Sequence, residues 1–125
     1  MIDRHSLKVL KVANGLPPRA RGGVESYTLA QCRALAARGH RPMVFCREGE
    51  SGRRDHSVRD ETVEGVPVRG VANDFHIVRG FGDYYYNAAI EQVFADTLDA
   101  WRPDVVHFEH AIGLSASLPV RAAQR

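Results

Sequence analysis

The sequence has only two cysteines, no long apolar run and no marked excess of one charge. Cys32 and Cys46 are too few for a disulfide framework and lack metal-ligand spacing, so we expect both to be small apolar core residues in a reducing compartment. No segment approaches the roughly 20 apolar residues that span a bilayer. The polar N-terminus carries no pattern of a secretory signal, and the expected location is the cytoplasm.

The charges balance overall, but arginines cluster locally. The 17 basic and 15 acidic residues give a formal net charge of +2, which does not call for a nucleic-acid partner. The clustered arginines are Arg19, Arg21, Arg47, Arg53, Arg54 and Arg59. One interpretation is solvated loop charge. The other is a positive rim that attracts a phosphorylated ligand or an anionic membrane surface.

The first 46 residues predict a strand, a loop, a helix and a second strand. Residues 7–13 are rich in valine and leucine and end at the turn signal Asn14-Gly15. A helix follows from Val24, with Gly39 placed to cap its C-terminus. Its apolar stripe comprises Val24, Thr28, Cys32 and Leu35. With a short strand at 42–46, this order is a βαβ unit with parallel strands.

The rest of the chain predicts a hairpin, two helices and a buried strand. We expect a mobile surface loop at 47–60, a small hairpin or strand extension at 61–71, and no assignment for 72–86. Asn87 is a good N-cap for a helix over 88–101. The apolar stripe of that helix comprises Ile90, Val93, Phe94, Thr97, Leu98 and Trp101. A strand at 104–108 precedes a helix over 112–125, and Pro119 makes Ser117 an alternative start for that helix.

These elements predict an α/β fold, a doubly wound parallel sheet with helices on its faces. Residues 1–125 suffice for one domain. The chain stops just after a helix, where such a fold normally continues into another strand, so we expect a truncated domain. Ligands of open parallel sheets bind beyond the carboxyl ends of the strands. Two loops are expected there, at 14–23 and 108–113.

The first loop contains a glycine pair before a helix. Gly22 and Gly23 let the backbone approach a phosphate closely, and the helix N-terminus favours an anion. The alternative is a conformational turn without a ligand. Glu25 either stabilises the helix dipole or accepts hydrogen bonds from ligand hydroxyls in the cleft.

The second loop reads His107, Phe108, Glu109, His110. We expect His107, at the end of a buried strand, to be a satisfied core histidine, and Glu109 and His110 to contact substrate. Three potential ligands without a fourth are a weak zinc pattern, so no metal site is expected. Tyr84, Tyr85 and Tyr86 are able to stack on a sugar or lipid acceptor, although at least one such tyrosine usually packs in the core.

Several ordered motifs resemble glycosyltransferase family 4. They are K-V-L-K-V from Lys8, L-P-P from Leu16, G-G-V-E from Gly22, L-A-A-R-G-H from Leu35, G-V-P-V from Gly65, R-P-D-V-V-H from Arg102 and G-L-S from Gly113. Each motif is weak alone, and the series in this order is specific. The similarity covers nearly the whole chain apart from the loops at 47–60 and 72–86. One departure is Glu109, which stands where the family often has a second histidine, followed by His110.

The resemblance implies the Rossmann-like N-terminal half of a GT-B fold. In such an enzyme this half mainly binds the acceptor, and a C-terminal domain, absent here, holds most of a UDP- or GDP-sugar. It implies a retaining transfer to a hydroxyl acceptor, in glycan, lipid or cell-surface polysaccharide synthesis, without a cofactor or a catalytic metal. It places Gly22 and Gly23 near the donor diphosphate, Glu25 towards the acceptor, and His110 or Glu109 at the reacting sugar. The parent would be cytoplasmic, with peripheral association at the inner face of the membrane, and the fragment alone would be inactive.

Two other classes remain as alternatives. A nicotinamide-dependent oxidoreductase would carry the fingerprint G-x-G-x-x-G and an acidic residue ending the strand at 42–46, and neither is present. A non-catalytic α/β module of receiver type would carry an acidic cluster after the first strand, where Asn14-Gly15 stands instead.

Overall fold

The computed structural model describes residues 6–20, 22–111 and 113–125. The elements in chain order are β1 Lys8–Ala13, α1 Gly23–Ala37, β2 Arg41–Glu48, β3 Val58–Val63, β4 Val66–Ala72, a 3₁₀ turn Phe81–Tyr84, α2 Ala88–Trp101, β5 Val105–Phe108 and α3 Leu118–Ala123. Their order and bounds confirm the predicted βαβ unit, the hairpin and the helix over 88–101.

The five strands form one sheet in the order β3-β4-β2-β1-β5. The pairs β1–β2, β2–β4 and β1–β5 are parallel, and only the β3–β4 hairpin is antiparallel. The predicted α/β doubly wound sheet with a small hairpin is therefore confirmed, and its topology is Rossmann-like.

Each face of the sheet carries its own core. On one face, α2 and α3 cover a cluster that includes Leu10, Phe45 and Phe94. On the other, α1 packs Leu29 and Cys32 against Val44 and Val68 of the central strands. The stripe predicted for α2 is confirmed, since its members are buried or packed against the first cluster.

Helix α1 departs from its predicted stripe. Thr28 and Cys32 are buried as expected, but Val24 is exposed and Leu35 is only half-buried. Val24 lies in the first turn of the helix and Leu35 in the last, whereas the buried residues Thr28, Leu29 and Cys32 all lie in its middle turns. Gly39, with a φ of 88°, supplies the expected left-handed residue after the helix.

Both cysteines are core residues, as predicted. Burial raises the pKa of the Cys32 thiol to about 11 and that of Cys46 to about 12. The two thiols are therefore inert apolar fillers at neutral pH. No helix among the described residues is long and apolar enough to cross a membrane.

The last helix is shorter than predicted. Helix α3 begins at Leu118 after the N-cap Ser117, so the alternative start is confirmed, and the predicted helix over 112–125 is wrong for residues 113–117, which are not helical. Gly113 adopts a φ of 78°, which interrupts a right-handed helix, and Pro119 is tolerated in the first turn. Ile112 lies outside the described residues.

The polar segment 47–60 is not the free mobile loop that its composition predicts. Strand β2 continues to Glu48, whose side chain is buried and paired with Arg53 and Arg59. Burial alone would raise the pKa of Glu48, but the two guanidinium groups outweigh it and hold the pKa below its usual value. Two of the clustered arginines thus stabilise a buried carboxylate and do not form a free positive rim.

Asp55 fixes the end of the same segment. Its carboxylate accepts hydrogen bonds from the backbone N–H groups of Asp74 (2.8 Å), His76 (2.7 Å) and Ile77 (3.1 Å). Burial raises the pKa of Asp55, but these three donors have the larger combined effect and lower it. Stability from this site is therefore fully present above the unfolded-state pKa of about 4 and is lost as the pH falls through the lower folded-state pKa.

We expect Asp55→Asn to lower the free energy of unfolding by about 1–2 kcal/mol at pH 7, because an amide keeps only one acceptor oxygen. The difference from the wild type should shrink as the pH falls below about 4, because the unfolded chain takes up a proton at this carboxylate before the folded chain does. Urea titrations between pH 3 and pH 7 measure it. The exposed Asp96→Asn is the matched control, and a difference that is equally large at pH 3 would contradict the electrostatic explanation.

Candidate functional site

The candidate site lies beyond the carboxyl ends of β1 and β5. These neighbouring strands connect to helices on opposite faces, because α1 packs on one side of the sheet and α2 with α3 on the other. That arrangement is the topological switch point of an open α/β sheet, where the loops diverge and leave a crevice. The described loop residues 14–20 and 22, and 109–111 and 113, border it.

The glycine pair stands at the N-terminus of α1, as predicted. Gly22 is the N-cap and Gly23 is the first helical residue. The first intrahelical bond runs from Ser26 N–H to the Gly22 carbonyl at 3.1 Å, so the N–H groups of the residues before Ser26 have no partner within the helix. A Cβ added at Gly23 would meet nothing within 4 Å. A side chain added at Gly23 would therefore extend into open space.

Glu25 folds back over this N-terminus. A Cβ at Gly22 would collide with its carboxylate, and one at Gly15 would lie 3.5 Å from its Cγ. The side chain therefore occupies the crevice between the two glycines. Its carboxylate helps to stabilise the helix dipole, and it also faces the space where a ligand would lie.

A cavity of about 270 Å³ adjoins Glu25 between the ends of β1 and β2. Asn14, Arg19 and Arg47 contribute to its wall, and Arg19 is paired with Glu61. The side-chain oxygen of Asn14 is buried and accepts no hydrogen bond from the described part of the chain. It is an unused acceptor next to the wall of the cavity.

Three loops that border the site are tied together by Arg47, Asn73 and Gly113, which we call the Arg47 bridge. Arg47 Nε donates to the Asn73 carbonyl at 2.8 Å, and Asn73 Nδ2 donates to the Gly113 carbonyl at 2.7 Å. The guanidinium also lies 5.5 Å from the centroid of the Phe75 ring. The bridge joins the ends of β2 and β4 to the loop after β5.

Sequence reasoning missed Asn14 and Asn73 as site residues. Both are polar residues that directly follow an apolar strand, which is a signal able to identify them, but the pair Asn14-Gly15 also has the pattern of an ordinary turn. The bridge itself joins positions far apart in the chain and leaves no local pattern.

Glu109 and His107 lie together on the α1 face of the sheet. Glu109 Oε1 is 3.1 Å from Lys11 Nζ, and His107 Nδ1 is 2.6 Å from the same nitrogen. The prediction that His107 is a buried core residue is wrong, since its side chain is 45% exposed. The reason is that β5 forms an edge of the sheet and its α1 face is only partly covered.

His110 sits at the turn that ends β5. The backbone N–H groups of Glu109 and His110 both donate to the Val12 carbonyl, at 2.8 and 3.2 Å. This pair of bonds holds the turn against the end of β1, and His110 is half-buried there. Among the residues that the structure describes, no group of three or more potential ligands is placed to hold a metal ion.

The three tyrosines are all exposed, so the expectation that one packs in the core is wrong. Tyr84 and Tyr85 belong to an aromatic surface that also includes Phe75 and Phe81, with the Phe75 and Tyr84 centroids 5.3 Å apart. Phe75 links this surface to Arg47. The aromatic surface therefore borders the site on the β4 side.

A larger groove of about 870 Å³ lies elsewhere, along the open edge of β5 between α2 and α3. Pro103 and Asp104, at the amino end of β5, line it. Because none of the residues that line this groove belongs to the candidate site, the groove is a separate feature of the surface.

The geometry above is that of a Rossmann-like α/β domain with a crevice at its topological switch point. Residues 22–125 match the glycosyl transferase 4-like domain family. This match covers most of the chain, and the chain belongs to that family. A comparison with curated proteins finds no match. The resemblance inferred from the motifs is thereby confirmed, and the five-stranded sheet fits the N-terminal half of a GT-B fold.

Proposed function

We propose that this chain is the acceptor-binding half of a retaining glycosyltransferase that moves a sugar from a UDP- or GDP-sugar to a hydroxyl acceptor. The observation that carries the proposal is the open N-terminus of α1 at Gly23, next to a crevice lined by Glu25 and Asn14. Family membership supplies the reaction class, and the crevice supplies groups suited to its substrates.

The glycine pair is suited to a diphosphate. The first N–H groups of α1, which have no partner within the helix, and the helix dipole favour negative charge, and a Cβ at Gly23 would meet nothing within 4 Å. A phosphate here requires the Glu25 carboxylate to turn aside, because the two like charges repel at short range. The same rotation frees the carboxylate to accept hydrogen bonds from acceptor hydroxyls.

His110 is our candidate for the contact with the reacting sugar. Its turn lies at the end of β5, beside the loop that carries the glycine pair, whereas the carboxylate of Glu109 is bonded to Lys11. Glu109 then acts by holding the turn. We further propose that a second domain supplies the opposite wall of the cleft and most of the donor site, so the 125-residue chain alone does not transfer sugar.

The glycine pair is tested in the two-domain parent that the resemblance implies. Gly23→Val places a branched side chain where the diphosphate would lie, and we expect it to weaken the binding of UDP or GDP by about tenfold or more. Isothermal titration with each nucleotide measures the affinity. The fold should be unaffected, since the added side chain meets open space.

Gly80→Val is the matched control, because a Cβ there also meets nothing within 4 Å and its φ of −167° suits any residue. Nucleotide affinity equal to the wild type in Gly23→Val would refute the phosphate role. Release of UDP or GDP from a panel of nucleotide sugars by the 125-residue chain alone would refute the need for a second domain.

A further inference from the structure

A lysine is buried in the middle of β1. Lys11 is only 3% exposed and lies between the apolar positions Leu10 and Val12 of the central strand pair. Its side chain points to the α1 face, where Nζ contacts Gln31 Oε1 at 2.7 Å, His107 Nδ1 at 2.6 Å and Glu109 Oε1 at 3.1 Å. The three donors of the ammonium group thus have three acceptors.

This arrangement fixes the tautomer of His107. An ammonium group only donates hydrogen bonds, so Nδ1 must accept, and the ring proton of the neutral imidazole must reside on Nε2. Lys11 and His107 are register partners on the parallel strands β1 and β5, so backbone pairing itself sets their approach. The imidazole is consequently held in one orientation, with its N–H directed away from Lys11.

A contribution to folding stability does not by itself explain why Lys11 is buried in this cluster. A buried ion pair costs desolvation that its attraction barely repays, and an apolar side chain of similar volume often does as well or better. Position 11 lies in a strand whose neighbours are all apolar and buried, where a leucine or methionine would pack. What an apolar residue would not do is orient the side chains of His107 and Glu109.

We propose that Lys11 is a positioning residue that sets the His107 tautomer and, through Glu109, the turn that carries His110. The side chain of Lys11 holds Glu109 from the α1 face, and the adjacent Val12 carbonyl accepts the N–H groups of Glu109 and His110. The turn is thereby fixed by the side chain of Lys11 and by the backbone carbonyl of the next residue, Val12. The effect of Lys11 on sugar transfer rests on the proposed function, whereas its effect on the His107 tautomer is independent of that function.

The tautomer is measured on the 125-residue chain itself. Long-range ¹H–¹⁵N spectra of the imidazole rings at about pH 8.5 distinguish the two neutral forms, since ordinary histidines are neutral there. His107→Gln identifies the signals. We expect His107 to show the Nε2–H form alone, and the Nδ1–H form in the wild type would overturn the proposal.

Two variants separate positioning from stability. Lys11→Met leaves the Glu109 carboxylate buried without its partner and should lower the thermal midpoint by about 10 °C. The double variant Lys11→Met with Glu109→Gln removes both charges and should recover most of that loss. It should still show a mixture of His107 tautomers and shifted amide signals at 109 and 110. A double variant with the wild-type tautomer and amide signals would reduce Lys11 to a packing role.

The role in transfer is tested in the parent with the same double variant. We expect kcat to fall by about tenfold or more with an unchanged KM for the donor, since small displacements at a reacting centre are costly. Wild-type kcat in a double variant with altered tautomers would overturn that role. A wild-type parent without any transferase activity would count against the proposed function and leave the tautomer result standing.

Discussion

Replacing Phe94 with alanine should lower the free energy of unfolding by about 3–5 kcal/mol, the usual cost of a large cavity in a core. Phe94 is fully buried on the inner face of α2, where its ring meets Phe45 edge-on at a centroid distance of 5.3 Å and Phe108 at 6.1 Å. It therefore joins the helix to β2 and β5 at once. Urea or thermal unfolding of the 125-residue chain measures the loss.

Phe81→Ala is the matched control for this prediction. The Phe81 ring is 77% exposed on the aromatic surface, so its removal should change the free energy of unfolding by less than about 0.5 kcal/mol. A comparable loss in both variants would mean that the aromatic surface is itself packed against something in solution. A small loss in Phe94→Ala would contradict the packing of α2.

The second large effect is expected at Gly113, where alanine should cost about 2–4 kcal/mol. Its φ of 78° alone costs an L-residue about 1–2 kcal/mol. In addition, a Cβ would overlap Cδ of Arg47, which cannot retreat without breaking its bond to the Asn73 carbonyl. Denaturant titration measures the combined penalty.

Gly52→Ala measures the cost of the left-handed backbone conformation alone. Gly52 has a φ of 70°, and a Cβ there would meet nothing within 4 Å. We expect it to cost about 1–2 kcal/mol less than Gly113→Ala. In an Arg47→Ala background the excess at Gly113 should disappear, because the colliding side chain is gone. An excess that persists without Arg47 would show that the clash lies elsewhere.

The fold could be predicted from the sequence where the apolar pattern of a single element shows which of its faces is buried. The stripe from Ile90 to Trp101 with Asn87 before it predicted α2 and its cap, and Asn87 Oδ1 does accept from Ile90 N–H at 2.9 Å. The segment 47–60 failed for the opposite reason. Its composition is polar, but Glu48 and Asp55 are buried by partners that are set by the tertiary fold.

The sequence was sufficient to predict where the residues of the candidate site lie, but not which side chains they contact. The glycine pair, Glu25 and His110 all lie at the carboxyl edge of the sheet, as a strand–loop–helix order dictates. That Glu109 would turn to Lys11 depends on the register between β1 and β5, which no local pattern encodes. The exposure of His107 depends likewise on β5 being an edge strand, and edge position is a property of topology.

The β3–β4 hairpin makes the two edges of the sheet different, because β3 forms one edge and β5 forms the other. On the outer strand β3, the charged side chains Arg59, Asp60 and Glu61 discourage another strand from pairing. At the other side, β5 presents the valine, phenylalanine and backbone groups of a short edge strand. A further strand would therefore meet fewer charged side chains beside β5 than beside β3.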